Sequence, residues 1–214
     1  MNMKKSYETF CFEGEPDWQK VPVGKIDCFQ WENEEKYRPQ STFQMCFIKG
    51  NGIFVKMHSD ETKLRAVCTE RDEHIWEDSC LEFFFSPKEG VGYLNTEMNP
   101  NSAFLTQVGK GREHRRFLKE LTSLAPQVCG YKDENGWGVS LFIPCKVFNE
   151  AFGINFEALP GTYSGNFYKC GDKTERPHYG SFSPMRKELT YGFHDPEYFA
   201  TITVKEDVSK NGKQ

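Results

Sequence analysis

The sequence predicts an all-β fold, a β-sandwich of jelly-roll type with one short helix and long C-terminal loops. Short runs of alternating apolar and polar residues recur along the chain, and turn signals separate them about every 8–12 residues. The 214 residues can bury a sizeable core. β-Sandwiches of this length are often single domains, so we expect residues 1–214 to form one domain.

The clearest strands come in pairs that are joined by tight turns. FQMCFI (43–48) and IFVKMH (53–58) flank KGNG, whose Asn51-Gly52 pair favours a type I′ hairpin. QVCGYK and WGVSLFIP flank DENG in the same way, and the apolar residues of WGVSLFIP should face the core. Further strands are predicted at LRAVCT (64–69), CLEFFFS (80–86), YLNTEMN (93–99), AFLTQV (103–108) and FATITV (199–204).

Helical patterns are scarce in this sequence. REHRRFLKELTSL (112–124) has an apolar stripe of Phe and Leu residues, and Pro126 would end a helix there. A shorter helical turn is expected at KVFNEAFG, directly after Pro144. Residues 155–197 are rich in Gly, Pro, Asn and aromatic residues without a clear period, so we expect structured loops in that segment.

Charge and hydropathy exclude several classes of partner. The net charge of −4 gives no electrostatic reason to expect a nucleic-acid ligand. No segment approaches the ~18 apolar residues that a membrane span requires. The first residues, MNMKKSYETFCFEGEP, lack the apolar run of a signal peptide. We therefore expect a cytoplasmic protein, or an extracytoplasmic one if a signal has been removed, and its oligomeric state is open.

The cysteines predict free thiols. The eight cysteines include no CxxC pair, and a chain of this length does not need a disulfide framework. Several of them stand in apolar strand patterns, where a thiol behaves as a small hydrophobic group. The five histidines are scattered and show no paired-ligand spacing, so no zinc site is expected. No metal ion or other cofactor is predicted from the residues themselves.

The segment HIWEDSCLEFFFSP (74–87) places Glu82 inside one of the most apolar runs of the chain. With period-two alternation, Leu81, Phe83 and Phe85 share one face of a strand, and Glu82 lies on the other face. A buried carboxylate is costly unless something hydrogen-bonds to it. The face that carries Glu82 should therefore be wet or should meet a polar ligand.

Two other groups of charged residues could carry chemistry. Asp78 and Glu82 could form a glycosidase acid–base pair, but four residues along a strand separate them by roughly 13 Å, which exceeds the separation that either route uses. The simpler interpretation is that Asp78 caps a turn and that Glu82 is solvated. The basic cluster KGREHRR (110–116) could bind phosphate, although a solvated helix start accounts for it more simply.

Aromatic residues are the most informative feature of the composition, at 15% of the chain. Many of them crowd residues 155–197, interleaved with amide and charged side chains such as Asn166, Arg176 and His178. A ring face can cover the C–H surface of a sugar while amides and carboxylates bind its hydroxyls. For any single ring, packing at a sheet edge is the simpler explanation.

Four segments in the same order resemble carbohydrate-binding module family 9. They are WEDSCLEFFF (76–85), YLNTEMNP (93–100), GWGVSLFIP (136–144) and FHDPEYF (193–199). The resemblance spans about residues 40–204. It implies a β-sandwich that grips the end of a glycan between two aromatic rings.

The resemblance also implies individual site residues. Trp76 corresponds to the first ring, and Glu82 to a carboxylate that hydrogen-bonds sugar hydroxyls. Glu97 and Asn99 belong to the second matching segment and are candidate ligand-binding residues. Glu97 stands near the position of a cleft arginine in the family, which has no counterpart that we can place in this sequence. Calcium occurs in the family, so it is a possible cofactor here by resemblance alone.

The second ring is a departure from the family pattern. In the sugar-binding modules it is a tryptophan, but no tryptophan follows Trp137 in this chain. Phe182 is the best counterpart, and Tyr179 is the next.

Together these observations predict a non-catalytic carbohydrate-binding protein. One alternative is an enzyme that acts on a glycan through Glu82 and a second carboxylate such as Glu97, which would require the two carboxyl groups to lie about 5–10 Å apart in one cleft. The other alternative is a structural or partner-binding β-sandwich with a closed cleft and a buried Trp76.

Overall fold

The computed structural model describes residues 4–31, 36–188 and 192–208. In these residues one α-helix, α1 (Cys145–Phe152), accompanies thirteen strands. The strands are β1 (Ser6–Phe12), β2 (Gly24–Ile26), β3 (Ser41–Ile48), β4 (Gly52–Ser59), β5 (Cys80–Ser86), β6 (Tyr93–Met98), β7 (Phe104–Gly109), β8 (Arg116–Phe117), β9 (Gln127–Asp133), β10 (Gly136–Pro144), β11 (Gly161–Cys170), β12 (Tyr179–Ser181) and β13 (Ala200–Glu206).

The strands form a single curled sheet that makes a β-sandwich, as the sequence predicts. Its order is β8-β7-β6-β5-β11-β13-β1-β3-β4-β10-β9, with β12 paired to β11 and β2 to β3. Strand β1 is parallel to both of its neighbours, β13 and β3, and thereby joins two antiparallel halves. The half that contains β6, β5 and β11 carries the candidate site.

Aromatic rings from both halves meet in the main core. Phe43 of β3 stacks on Phe167 of β11 with 3.5 Å between ring centroids. Phe83 of β5 stacks on the same ring at 4.9 Å. On β10, Trp137 and Leu141 are fully buried in this core, which confirms the face that was predicted for that strand.

Strand β5 is buried on both faces. Leu81, Phe83 and Phe85 point into the main core, as the alternation predicts. Cys80 and Phe84 point the other way, into two smaller apolar clusters on the outer face. Glu82 lies between these two clusters, so its surroundings are largely enclosed.

The predicted helix over residues 112–124 is wrong. The chain instead forms the two-residue strand β8, then a 3₁₀ turn over Leu118–Glu120. Phe117 pairs with Gln107 of β7 and packs on the outer face, whereas Leu118 packs in the main core. The apolar residues of the stripe thus serve different clusters, and a single helix face could not reach both.

Two further predictions about elements need correction. Residues 64–69 form no strand, because the backbone N–H groups of Val67 and Cys68 bond to the Asp78 carboxylate instead of to a neighbouring strand. Residues 155–197, expected to be irregular, contain the ten-residue strand β11 and the short strand β12. The short helix predicted after Pro144 is confirmed as α1, which ends at Gly153 with φ of 64°.

All eight cysteines are free thiols, as predicted. Among the described residues, none of the helices has the length and apolar character needed to traverse a lipid bilayer.

Candidate functional site

Two glutamates lie side by side on the outer face of the sheet. Glu82 of β5 is in register with Glu97 of β6 on one side and with Tyr168 of β11 on the other. Both carboxyl side chains are enclosed, with 2% of Glu82 and 3% of Glu97 exposed. Opposite residues on antiparallel strands face the same side, so this pairing directs both carboxyl groups to one place.

A cavity of about 490 Å³ lies over these two glutamates. We call it the Glu82 cleft. Its volume is within the range of small-molecule sites. A smaller depression of about 330 Å³ lies beside Phe182 and Lys5, and it contains neither of the paired glutamates. The Glu82 cleft is therefore the better candidate site.

Burial controls the ionisation of the two carboxyl groups. Loss of water raises the pKa of Glu82 well above its usual range, and the neighbouring Glu97 raises it further. Burial likewise raises the pKa of Glu97 to about 7, although Arg115 opposes that shift. The Asn95 amide donates to Oε1 of Glu97 at 3.1 Å, while Oε2 is buried without a hydrogen-bond partner. The cleft thus contains an acceptor atom that a ligand could satisfy.

Two arginines from the basic cluster also line the cleft. Arg115 donates from Nε to Gln107 Oε1 at 2.9 Å and from Nη1 to the carbonyl oxygen of Arg112 at 3.0 Å. The helix start expected for this segment is wrong, and Arg115 is partly buried, although Arg112 is solvated as expected. Arg112 and Arg115 thus bring arginine side chains to the cleft. The family resemblance implied a cleft arginine, but the sequence alone did not show which residue it would be.

Trp76 stands at the cleft in a 3₁₀ turn over Ile75–Glu77. Its indole is partly buried, and its ring stacks on His74 with 4.6 Å between centroids. Its carbonyl oxygen accepts the Asp172 N–H at 3.1 Å and the Cys170 thiol at 3.5 Å. These bonds attach the turn to the end of β11, so the ring is held beside the cleft.

Other aromatic residues line the cleft from distant parts of the chain. Tyr179 lies beside Asp172, and burial and this carboxylate raise the pKa of its phenol. Trp31 donates from Nε1 to the Lys187 carbonyl at 2.7 Å, and its ring lies 5.6 Å from that of Phe193. The family pattern places the second tryptophan after Trp137, so Trp31 was not a candidate. No motif around Trp31 indicates a role at the cleft.

Phe182 is not at the Glu82 cleft, contrary to our expectation. It is 7% exposed and packs edge-on against Phe43 at 5.0 Å and Tyr7 at 6.3 Å. The apolar core accounts for its position. Of the two rings proposed to face Trp76, only Tyr179 lines the cleft.

Asn99 is also placed away from the cleft lining. Its amide donates to the Cys68 carbonyl at 2.9 Å and to Asp78 Oδ2 at 3.0 Å. Its Oδ1 accepts the N–H groups of Asn101 and Ala103. With every side-chain group engaged and the residue fully buried, Asn99 stabilises loops instead of facing a ligand.

Asp78 likewise organises loops. Its Oδ2 accepts the Val67 and Cys68 N–H groups at 2.9 Å each, and Arg65 lies 3.4 Å from its Oδ1. The structure therefore does not bring Asp78 and Glu82 together as an acid–base pair. The turn-forming role expected for Asp78 agrees with these contacts.

Calcium is the cofactor that the family resemblance implies. Calcium takes six to eight oxygen ligands. One group of three His, Cys, Asp or Glu ligand atoms converges in the described part of the chain, and it consists of Cys80, Glu82 and Cys170. Two thiols and one carboxylate do not fit calcium.

Comparisons with known proteins identify the family and support the fold. Residues 15–204 match the family model described as Carbohydrate-binding family 9. The structure is similar to the crystal structure of a candidate carbohydrate-binding protein from Bacteroides uniformis, with a TM-score of 0.79 and 25% sequence identity. That similarity covers 95% of this chain and 100% of the other. No curated protein matches the sequence.

Proposed function

The chain belongs to carbohydrate-binding family 9, and on this premise we propose that it binds a saccharide end in the Glu82 cleft without catalysing a reaction. The observation that carries the proposal is the pair of buried carboxyl groups beneath aromatic rings. Sugar hydroxyls can donate to Glu82 and to the unsatisfied Oε2 of Glu97. The rings can cover the apolar face of the same sugar.

Trp76 is the first ring in this proposal, and Tyr179 or Trp31 is the second. Stacking a pyranose on one ring face removes roughly 100 Å² of apolar surface from water, or about 2.5 kcal/mol at ~25 cal/mol per Å². Two rings and several hydrogen bonds, less the cost of association, correspond to a Kd between roughly micromolar and millimolar.

A glycan-acting enzyme is the second candidate, because Glu82 and Glu97 lie opposite each other. Such enzymes need one carboxyl group that remains protonated and another that is ionised. Burial raises the pKa of both groups, which assigns neither role to either residue, and the family model that matches the chain is described as carbohydrate-binding. This favours binding over catalysis. Release of reducing ends from a bound oligosaccharide would favour the enzyme instead.

The closed-cleft alternative predicts that no ligand-sized cavity is present. The cavity of about 490 Å³ and the partial exposure of Trp76 favour a ligand site over that alternative.

The test is a glycan-array screen followed by calorimetry on each hit, with Trp76→Ala as the variant. Removing one ring should weaken sugar binding on the order of 50-fold, because each 1.4 kcal/mol is a factor of ten. The melting temperature should change by only a few degrees. Trp18→Ala is the matched control, since Trp18 packs on Phe54 at 5.1 Å and does not line the cleft. Unchanged affinity in Trp76→Ala, or an equal loss in both variants, would contradict the proposal.

A further inference from the structure

We propose that Cys80, Glu82 and Cys170 form a binding site for a soft divalent metal ion of the zinc class. Each residue offers one ligand atom, and the three atoms lie within 4.8 Å of one another. All three side chains are buried. This site does not depend on the sugar proposal, since it needs only the three side chains.

The strand register explains why these three side chains converge. Cys80 and Glu82 are two residues apart on β5 and therefore share its outer face. Cys170 lies directly opposite Cys80 on the antiparallel strand β11. Facing side chains on such strands have Cβ atoms ~4.5–5.5 Å apart. Because the ligands come from two strands that are distant in sequence, no CxxC or similar spacing reveals them.

The donor set suits zinc. Zinc accepts Cys sulfur at ~2.3 Å and carboxylate oxygen at ~2.0–2.2 Å in tetrahedral geometry. Ligand atoms in such a centre lie roughly 3.5 Å apart, so the present triangle needs to contract by on the order of 1 Å. Zinc binding would release the thiol protons of Cys80 and Cys170 to solvent, and the resulting thiolates favour zinc and other soft ions over calcium or magnesium.

Three protein ligands leave a fourth position open, as in zinc sites that bind water or substrate. Glu82 and Cys170 both line the Glu82 cleft, so this position faces the cavity. A water molecule or a ligand hydroxyl could occupy it. The metal would thus lie in the floor of the cleft and not in a closed structural site.

A second observation points to a cation at this place. Glu97 lies next to Glu82, is 3% exposed, and has its Oε2 buried without a hydrogen-bond partner. The free Oε2 is a buried acceptor to which a water molecule bound to the ion could donate a hydrogen bond. A carboxyl group next to a metal ligand can also orient that ligand and tune its affinity for the metal by hydrogen bonding.

The test uses the full chain, reduced, treated with a chelator and kept free of oxygen. Zn²⁺ is titrated by calorimetry, and Co²⁺ is added to detect thiolate-to-metal charge-transfer absorption. We expect one ion per chain and thiolate–cobalt bands. Cys170→Ser should weaken zinc binding by on the order of 100-fold or more, because even a change beside the ligands costs ~10–100-fold. Glu82→Gln should also weaken it.

Control variants separate this site from other thiols and from the sugar. Cys46→Ser changes a buried thiol in a different cluster, and Cys129→Ser changes an exposed one, so both should retain full affinity. Zinc is titrated with no sugar present, so a failure of sugar binding leaves this readout unchanged. The cobalt spectrum of the unsubstituted protein gives a result even if a variant fails to fold.

Three outcomes would overturn the proposal. One is cobalt binding without thiolate bands, and another is zinc affinity that persists in folded Cys170→Ser. The third is failure of the reduced, oxygen-free protein to bind zinc.

Discussion

Asp78 and Glu82 are both buried carboxyl residues, yet their surroundings differ sharply. Oδ2 of Asp78 accepts two backbone N–H groups and one amide, and Arg65 lies beside Oδ1. Glu82 faces Glu97, and burial holds its pKa well above the usual range. A glutamine amide at position 82 would resemble the uncharged carboxyl group that burial favours there. An asparagine amide at position 78 would instead place N–H donors beside Arg65, where Oδ1 of Asp78 now lies.

The corresponding substitutions should separate the two residues. We expect Asp78→Asn to lower the free energy of unfolding by ~1–3 kcal/mol, because a buried network loses an acceptor. Glu82→Gln should leave it nearly unchanged. Urea denaturation of both variants at neutral pH provides the measurement. If Glu82→Gln unfolds the protein, Glu82 belongs to a structural network and the ligand-binding interpretation of its burial is wrong.

His178 should make stability depend on pH in the acid range. Its Nε2 lies 2.7 Å from Lys169 Nζ, and its Nδ1 lies 2.7 Å from the Arg176 carbonyl oxygen. Burial, with the Lys169 charge, lowers the pKa of His178 to about 4 from 6.5. Above pH 6.5 both folded and unfolded chains hold a neutral imidazole, so the effect is absent there. As pH falls from 6.5 to 4, the unfolded chain binds the proton first and stability decreases.

The shift corresponds to a loss of up to about 3 kcal/mol across that window. Unfolding measured at pH 7 and pH 4.5, on the natural chain and on His178→Gln, tests this expectation. The variant should lose less stability between the two pH values than the natural chain does. Equal pH dependence in the two chains would show that other groups control acid stability.

At the scale of single elements, β5 is the strand whose sequence pattern best predicts which side chains enter the core. Its period-two alternation predicts the core face correctly, because Leu81, Phe83 and Phe85 all enter the main core. The same alternation predicts a polar requirement on the other face, where Glu82 meets Glu97. A short strand with large apolar residues at every second position leaves little choice of register.

Phe83→Ala should therefore be strongly destabilising. Phe83 is fully buried and stacks on Phe167, so its truncation leaves a cavity and should cost ~3–5 kcal/mol. Val67→Ala is a useful control because Val67 is 63% exposed, and we expect a change within about 0.5 kcal/mol. Chemical denaturation of the two variants measures both costs. A loss below ~1 kcal/mol in Phe83→Ala would mean that the core around β11 readjusts.

The conformation of some segments could not be predicted from their own residues, because it depends on contacts with distant parts of the chain. The apolar stripe of residues 112–124 has helical spacing, but sheet pairing of Phe117 with Gln107 decides the conformation. Strand β11 was missed because the buried part of GTYSGNFYKC contains polar residues. Asn166 bonds to the Ser183 backbone, and Lys169 pairs with Glu61 at 2.9 Å. Such residues look like loop residues until their distant partners are known.

At the scale of the whole molecule, the cleft combines residues that no local pattern connects. Trp76, Glu82 and Glu97 could be found from sequence because they occupy adjacent elements with recognisable motifs. Trp31 and Arg115 could not, since each reaches the cleft from a remote segment. The N-terminal segment brings Trp31 against Phe193, and the loop between β7 and β8 brings Arg115 to the cleft.

A ligand in this cleft should therefore stabilise the whole fold. It would contact segments around residues 31, 76–82, 97, 112–115, 170–179 and 192–194, and global unfolding separates all of them. A sugar at 100 times its Kd adds about 2.7 kcal/mol. For a chain of this size that raises Tm by roughly 5–10 °C. Thermal denaturation with and without the best glycan-array hit measures the shift, with Trp76→Ala as the control that should show little of it. A sugar that binds by calorimetry but produces equal shifts in both chains would have to bind outside the Glu82 cleft.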